Sequence, residues 1–328
     1  MTNTVQLPGT DMTSSVIGFG CASLGSRISK QQGLAALNAA FDKGVTWYDV
    51  APAYGAGEAE PIIGEFLRGR RDKVLICSKV GVVPPARNDL LKLVYMLARP
   101  ALTVASGLRR KFRKMSATRN QTLPLTPDFI RGSIERSLKR LGTDHLDVFA
   151  LHKPSIEDMR RDDVQRTLED ILKSGKARYI SVAGAVDAAR AAIQHPEIYR
   201  LVQLADNPTS SPLPQLTTQA GRPLAFITHS VLGVDGAMDR LLQSLSEHPE
   251  DLKKIRAAGY GGSEKEAVAA LLVDRALASN RQGVVLASMF SQKHQASNIA
   301  RAARPVNPDA IRLVDELVKG KIRVESVA

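Results

Sequence analysis

Eight short apolar runs rich in β-branched residues recur along this chain, and stretches of helical periodicity separate them. The runs predict strands over Val16–Gly20, Val45–Val50, Lys73–Lys79, Leu146–His152, Tyr179–Ala183, Leu201–Ala205, Leu224–His229 and Gly283–Ser288. Apolar residues at three- and four-residue spacing predict helices over Lys30–Lys43, Glu58–Arg68, Pro127–Leu141, Ile156–Ser174, Ala185–His195 and Ser263–Asn280. Thr126 before Pro127 is an N-cap with proline at the first helical position. Gly142 after Leu141 is a helix stop. Repeated strand–helix alternation predicts a parallel sheet closed into an (α/β)8 TIM barrel. A short N-terminal β-hairpin is expected ahead of it. The rival, an open doubly wound sheet, wants a glycine-rich phosphate loop after the first strand. Gly18-Phe19-Gly20 runs on into Cys21-Ala22-Ser23 and does not complete G-x-G-x-x-G. No internal repeat or low-complexity tract divides the sequence, so residues 1–328 read as one barrel domain carrying an insert at about 84–124. Asn207–Arg222, rich in proline, serine and threonine, reads as a long loop.

A length of 328 residues is ordinary for such a barrel, and 44% hydrophobic and 24% charged residues suffice for a large core. No uncharged apolar run reaches the ~18 residues of a membrane span, so no integral membrane association is expected. The start MTNTVQLPGTDM lacks the basic residues and apolar run of a signal peptide. Two cysteines, Cys21 and Cys77, cannot build a disulfide framework or a zinc cluster, and a reducing cytoplasm is the simplest location. The six histidines are scattered, none at a metal-ligand spacing from cysteine or acid, so no metal is expected. The net charge of +12 is concentrated: residues 84–120 hold nine lysines and arginines and one acid, Asp89. The basicity is one insert's property, and no nucleic-acid partner is expected from it. Composition says nothing of oligomeric state.

Alternate side chains of a barrel strand point inward. Val45 and Trp47 therefore share a face with Asp49, Leu75 and Cys77 with Lys79, and Val148 and Ala150 with His152. An acid, a lysine and a histidine each end a strand above small or apolar residues, which is the layout of the C-terminal mouth where barrel active sites sit. Tyr54, five residues after Asp49, can hang over that mouth from the Pro52–Gly57 loop. Singly, these residues have ordinary structural readings: a solvated rim lysine, a turn, a hydrogen-bonded histidine. Together they make a proton-transfer set. Hydride reduction of a carbonyl leaves an alkoxide that needs a proton, and a tyrosine can supply it. Its ordinary pKa of about 10 is high for that task, and a neighbouring Lys79 ammonium is expected to lower it. Asp49 would hold Lys79 charged, and His152 would orient the carbonyl oxygen. No side chain transfers hydride, so a nicotinamide is implied.

These residues and their surroundings resemble the aldo-keto reductase family over nearly the whole chain. The resemblance is carried by VQLPGTDMTSSVIGFG, YDVAPAYGAGEAEPIIGEFL, VLICSKVG, IRGSIERSLKRLGTDHLDVFALHKP and LEDILKSGKARYISVAG. It implies an (α/β)8 barrel that binds NADPH or NADH in extended form, with Tyr54 as general acid, Lys79 and Asp49 tuning it and His152 orienting the substrate. The implied cofactor set is Gly20, Cys21, Asp49, Ala183, Gly184, Gln203, Ser230, Leu232, Gly233, Ser288, His294 and Asn298. Two departures stand out. The family's carboxamide-binding serine-asparagine pair is replaced by Ala183-Gly184, which leaves backbone groups and Gln203. The basic residue expected for a 2′-phosphate is His294, with Lys293 or Arg301 as the cations that could compensate. NADP is the expected cofactor by a small margin, with NAD the alternative.

The activity implied is NAD(P)(H)-dependent interconversion of a carbonyl and an alcohol, on a small aldehyde, ketone or sugar-like compound. The lost serine-asparagine pair and the basic insert keep a second class open, a non-catalytic nicotinamide-binding redox sensor or protein-interaction module. The insert leaves the third strand beside the site, with an amphipathic helix predicted over Asp89–Leu97 and a basic run over Gly107–Asn120. It reads as a solvated loop, as a recognition element for an acidic substrate, or as a membrane-surface or nucleic-acid contact. With only Tyr95 and Phe112 as aromatics, base stacking is poorly supported. Substrate-pocket walls are expected from the insert, Asn207–Arg222 and the C-terminal tail.

Overall fold

The computed structural model describes residues 1–84, 120–233 and 236–318. The chain opens with an antiparallel pair, β1 (Thr4–Gln6) and β2 (Thr13–Ser15). Eight strands build the barrel: β3 (Ile17–Gly20), β4 (Trp47–Asp49), β5 (Leu75–Val80), then, after the short β6 (Val82–Val83) and β7 (Gln121–Thr122), β8 (Leu146–His152), β9 (Ala177–Ala183), β10 (Tyr199–Ala205), β11 (Ala225–His229) and β12 (Val284–Ala287). The barrel closes in the order β3-β4-β5-β8-β9-β10-β11-β12, and every pairing in it is parallel. All eight sequence-predicted strands form within a few residues of their expected bounds, and the predicted hairpin is present.

Side-chain parity sorts the strands into two layers as expected. Trp47, Cys77, Val148, Ala150, Ala183, Leu201, Ala225, Ile227, Val284 and Leu286 pack together inside the barrel. Leu7 and Met12, from the hairpin ends, join this cluster and plug the barrel floor. The alternate residues, such as Tyr48, Ile76, Phe149 and Val182, pack outward against the helices. Val45 precedes β4 and joins the outer layer, so on that strand the shared inner face is Trp47 and Asp49. Gly18 explains the first half of the Gly-x-Gly run. A Cβ there would sit 2.7 Å from Leu286 Cδ2 and 2.9 Å from Trp47 Cδ1, so the missing side chain is the space that Trp47 fills.

Two helical expectations need correction. The helix expected over Ile156–Ser174 is two, Ile156–Arg160 and Asp162–Lys173. Arg161 between them is extended (φ −73°, ψ 125°), with its guanidinium bound to Asp163 and to the Leu125 carbonyl. The expected loop Asn207–Arg222 holds a helix, Leu213–Ala220. Its start is fixed by Asp206, whose carboxylate accepts from Ser211 Oγ and the Leu213 N–H and binds Arg275 at 2.6 Å. A proline- and serine-rich composition marks the turn into this helix, not its length. Further helices form over Ala237–Glu247, Pro249–Ala257, Gln292–Ala302 and Asp309–Val318.

The insert's two ends are tied together. Val82–Val83 pairs antiparallel with Gln121–Thr122, and the Leu123 N–H donates to the Gly81 carbonyl at 2.8 Å. The helix predicted over Asp89–Leu97 and most of the basic run lie outside the described residues. Among the described residues no helix is long and apolar enough to cross a membrane.

Candidate active site

Barrel stagger assembles the site. Asp49 lies opposite Cys77, so Lys79 is one pleat higher on the same inner face. Lys79 in turn lies opposite Ala150, so His152 is one pleat higher again. His152 is level with Ala183, and Ala183 with Gln203. Each step is two residues, so all these side chains point inward at the C-terminal mouth. They line an open cavity of about 730 Å³ together with Gly20, Tyr54, Gly184, His229, Ser230 and Ser288.

Lys79 is wholly buried, and its Nζ donates to Asp49 Oδ2 at 2.7 Å and to the Val50 carbonyl at 3.0 Å. Burial opposes the ammonium charge, but the carboxylate beside it prevails and the pKa is pushed above the usual lysine value. Tyr54 opens a short turn, Tyr54–Gly57, and lays its ring 5.1 Å from Lys79 Nζ. The Tyr54 and His152 rings meet edge-on at 6.1 Å. Gly55 permits this approach, because a Cβ there would lie 1.9 Å from the Leu24 carbonyl oxygen.

The expected depression of the Tyr54 pKa does not hold. Burial pushes it up to about 12, and the pull of Lys79 only partly offsets this. The phenol therefore keeps its proton at neutral pH. His152 is pushed down to about 3, chiefly by burial and then by the Lys79 and Lys153 charges, so it is a neutral imidazole. Its Nδ1 is buried with no partner in the protein.

On the opposite wall, Gln203 is 4% exposed and its Oε1 has no hydrogen-bond partner. The backbone of the Ala183-Gly184 pair is partly spent. The Ala183 carbonyl accepts from Lys153 N–H at 2.7 Å, and Gly184 N–H donates to the Gln203 carbonyl at 3.1 Å. Ser230 has φ +61° and binds the His229 Nδ1 through Oγ at 2.9 Å. His229 is a wall residue that sequence reasoning missed, although the parity of Ala225 and Ile227 points it inward too. Burial lowers its pKa as well. The non-glycine residues with positive φ among the described ones are Ala56, Lys153 and Ser230, and all three sit in loops at this mouth.

The remaining expected cofactor residues lie off the cavity. Cys21 is fully buried, with its thiol against the Phe19 carbonyl. Leu232 is exposed, and Gly233 N–H closes a turn onto the Ser230 carbonyl. His294 is exposed and Asn298 half-buried on the helix Gln292–Ala302. The two cations expected to compensate for His294 are already engaged. Lys293 pairs with Glu266, and Arg301 binds Asp274 at 2.6 Å while stacking on Tyr260. None of residues 207–222 lines the cavity, contrary to expectation. Among the described residues no cluster of three His, Cys, Asp or Glu side chains could hold a metal ion.

The model of the aldo/keto reductase family matches residues 16–207, more than half of the chain. A D-threo-aldose 1-dehydrogenase of Pseudomonas is 32% identical over 151 residues, covering 44% of this chain and 41% of its own length. A 6-dehydroglucose reductase of Agrobacterium fabrum is 28% identical over 152 residues, covering 45% and 42%. The match thus spans less than half the length of these curated relatives. Among solved structures, an aldo-keto reductase from Klebsiella pneumoniae in complex with NADPH is 22% identical, with a TM-score of 0.66 and full coverage of both chains. An aldo-keto reductase from Bacillus halodurans in its holo form is 19% identical, with a TM-score of 0.69 and 99% coverage of both. At this identity the structural likeness speaks to the fold.

Proposed function

The chain belongs to the aldo/keto reductase family, and on that premise we propose that it is an NAD(P)(H)-dependent oxidoreductase interconverting a carbonyl and an alcohol, with Tyr54 as the proton donor and acceptor. One observation carries the reading. A wholly buried lysine, locked to Asp49 at 2.7 Å, lies under the ring of a tyrosine that faces an open cavity beside a neutral histidine. A buried ion pair of this kind is a poor stability device, since its desolvation offsets its attraction. At a cavity wall it serves to fix a charge next to a proton donor.

Tyr54 is a good acid for an alkoxide, which is a far stronger base than tyrosinate even at a phenol pKa of about 12. The Lys79 ammonium stabilises the tyrosinate left behind, and Asp49 keeps that ammonium charged. His152, neutral through the physiological range, donates an N–H to the carbonyl oxygen without competing for the proton. A bound nicotinamide supplies or removes the hydride. The residues present fit its carboxamide, because the buried, unpartnered Oε1 of Gln203 is an acceptor ready for an amide N–H. Arg301 is committed to Asp274 and Lys293 sits in an exposed pair with Glu266, which leaves NADP and NAD on an equal footing as the bound nicotinamide.

Tyr54→Phe tests the role. Turnover of a panel of small aldehydes, ketones and sugar-like alcohols should fall by about 10²–10⁴-fold, while cofactor affinity, read by fluorescence titration, stays close to wild type. Undiminished turnover would sink the assignment. The second reading, a nicotinamide-binding module without turnover, is favoured by the Ala183-Gly184 replacement, and steady wild-type turnover of any panel member rules it out as the main role.

A further inference from the structure

The charge of the cavity wall is one-sided. Its described lining holds Arg27, Lys79 and Lys153 as cations and Asp49 as its one acid, and Asp49 is committed to Lys79. The two histidines on the wall are held neutral. Such a wall focuses a positive field into the cavity.

Lys153 is the unusual member. Its φ is +55°, in the left-handed region that side chains disfavour. It also directly precedes Pro154, and the residue before proline is driven toward extended backbone. Two constraints hold it in this doubly disfavoured state. Its N–H is bound to the Ala183 carbonyl at 2.7 Å, and the next strand's end is packed close, since a Cβ on Gly184 would lie 3.6 Å from Lys153 Cα and 3.5 Å from Pro154 Cδ. Glycine would take this backbone without strain. Lysine stands there instead, exposed at the rim, with its charge felt by both His152 and His229. No acid among the described residues pairs with it. Strain of this kind persists at sites where it serves a ligand, and the described residues offer this ammonium no acid to bind.

We propose that the substrate carries an anionic group, a carboxylate or phosphate a few bonds from its carbonyl, and that Lys153 is the specificity residue that binds it. His152 and Lys153 both line this cavity, so one substrate molecule can set its carbonyl oxygen on His152 and its anion on Lys153. The inference rests on the oxidoreductase reading above and narrows its substrate class.

The test uses the full chain with NADPH and with NADH, and two matched pairs of aldehydes: butanal with 4-oxobutanoate, and glyceraldehyde with glyceraldehyde 3-phosphate. In at least one pair kcat/KM should be about tenfold higher for the anionic member, and the pair that responds tells carboxylate from phosphate. Added salt should compress that ratio. Lys153→Met should lower the ratio about tenfold, mainly through KM, and Lys153→Arg should retain it. Lys153→Gly guards against misfolding: it suits the left-handed backbone, should hold its Tm, and should lose the ratio as Lys153→Met does. A wild-type ratio near one, or equal losses on both members of a pair, would overturn the proposal. Calorimetric binding of benzoate, inorganic phosphate and neutral benzamide to wild type and Lys153→Met gives a readout without turnover. Lysine-dependent anion binding in a chain that reduces no carbonyl would leave the anion site standing and remove the oxidoreductase reading. Turnover with no lysine-dependent anion preference would do the reverse.

Discussion

On the side of the mouth formed by β4 and β5, charged groups are buried and bound to one another: Lys79 to Asp49 and to the Val50 carbonyl. On the side formed by β9, β10 and β11, a polar group is buried and left without a partner, the Gln203 Oε1, beside an Ala183-Gly184 step that offers no side chain to bind with. His152 stands at the seam, with Nδ1 buried and unpartnered. A proton relay must be complete before substrate arrives, because its charges set the donor's acidity. On the proposed reading the other side is a cofactor wall, completed by what binds to it, and its open valences are where a ligand fits. The same mouth therefore shows a half whose charges are satisfied, although Trp47 Nε1 one pleat below them has no partner, and an unsatisfied half, and each should answer differently to substitution.

The largest effect is expected in the satisfied half. Lys79→Met leaves the Asp49 carboxylate buried without its cation, which should destabilise the fold by about 3–5 kcal/mol, and turnover should be lost as well. Pairing it with Asp49→Leu should recover most of the stability and none of the activity. A double variant as unstable as the single one in thermal unfolding would show that the pair holds up the fold rather than the chemistry.

The unsatisfied half should respond in the opposite sense. Gln203→Leu removes a buried amide that finds no partner, so the cofactor-free protein should keep or gain Tm, while cofactor Kd rises about tenfold. A fall in Tm with unchanged Kd would mean that Gln203 is a structural residue and that the wall is not the carboxamide's.

At neutral pH the seam gives the smallest effect, and it grows only as the solution is acidified. The folded-state pKa of His152, about 3, lies below its ordinary value of 6.5. The unfolded chain therefore takes up the proton first, and the histidine's contribution to stability, intact above pH 6.5, drains away as pH falls toward 3. His152→Asn should flatten the acid side of a Tm-versus-pH curve over that window. An unchanged curve would place the acid sensitivity elsewhere.

Much of this was legible in the sequence because barrel strands repeat with a period of two. Once Trp47 faces in, so does Asp49; once Cys77 faces in, so does Lys79; and Val148 and Ala150 carry His152 with them. The same rule reaches His229 through Ala225 and Ile227. The helix Leu213–Ala220 was not legible, because what starts it is a carboxylate just upstream in the chain, held in turn by Arg275 from a distant helix. Nor were the engagements of Lys293 and Arg301, whose acids, Glu266 and Asp274, lie on the helix Glu264–Ser279.

The alternation of strand and helix, and the identity of the residues ending each strand, thus determined the barrel and brought Asp49, Tyr54, Lys79 and His152 to one mouth. Periodicity is a local property, and local chain geometry fixes which way a side chain points. Only the tertiary structure decided how those residues behave. Burial outweighs the neighbouring lysine and leaves Tyr54 protonated, and an ion pair formed across the fold decides which cation is free to meet a ligand. Desolvation and charge pairing depend on everything that surrounds a group, and that surrounding exists only once the chain has closed on itself.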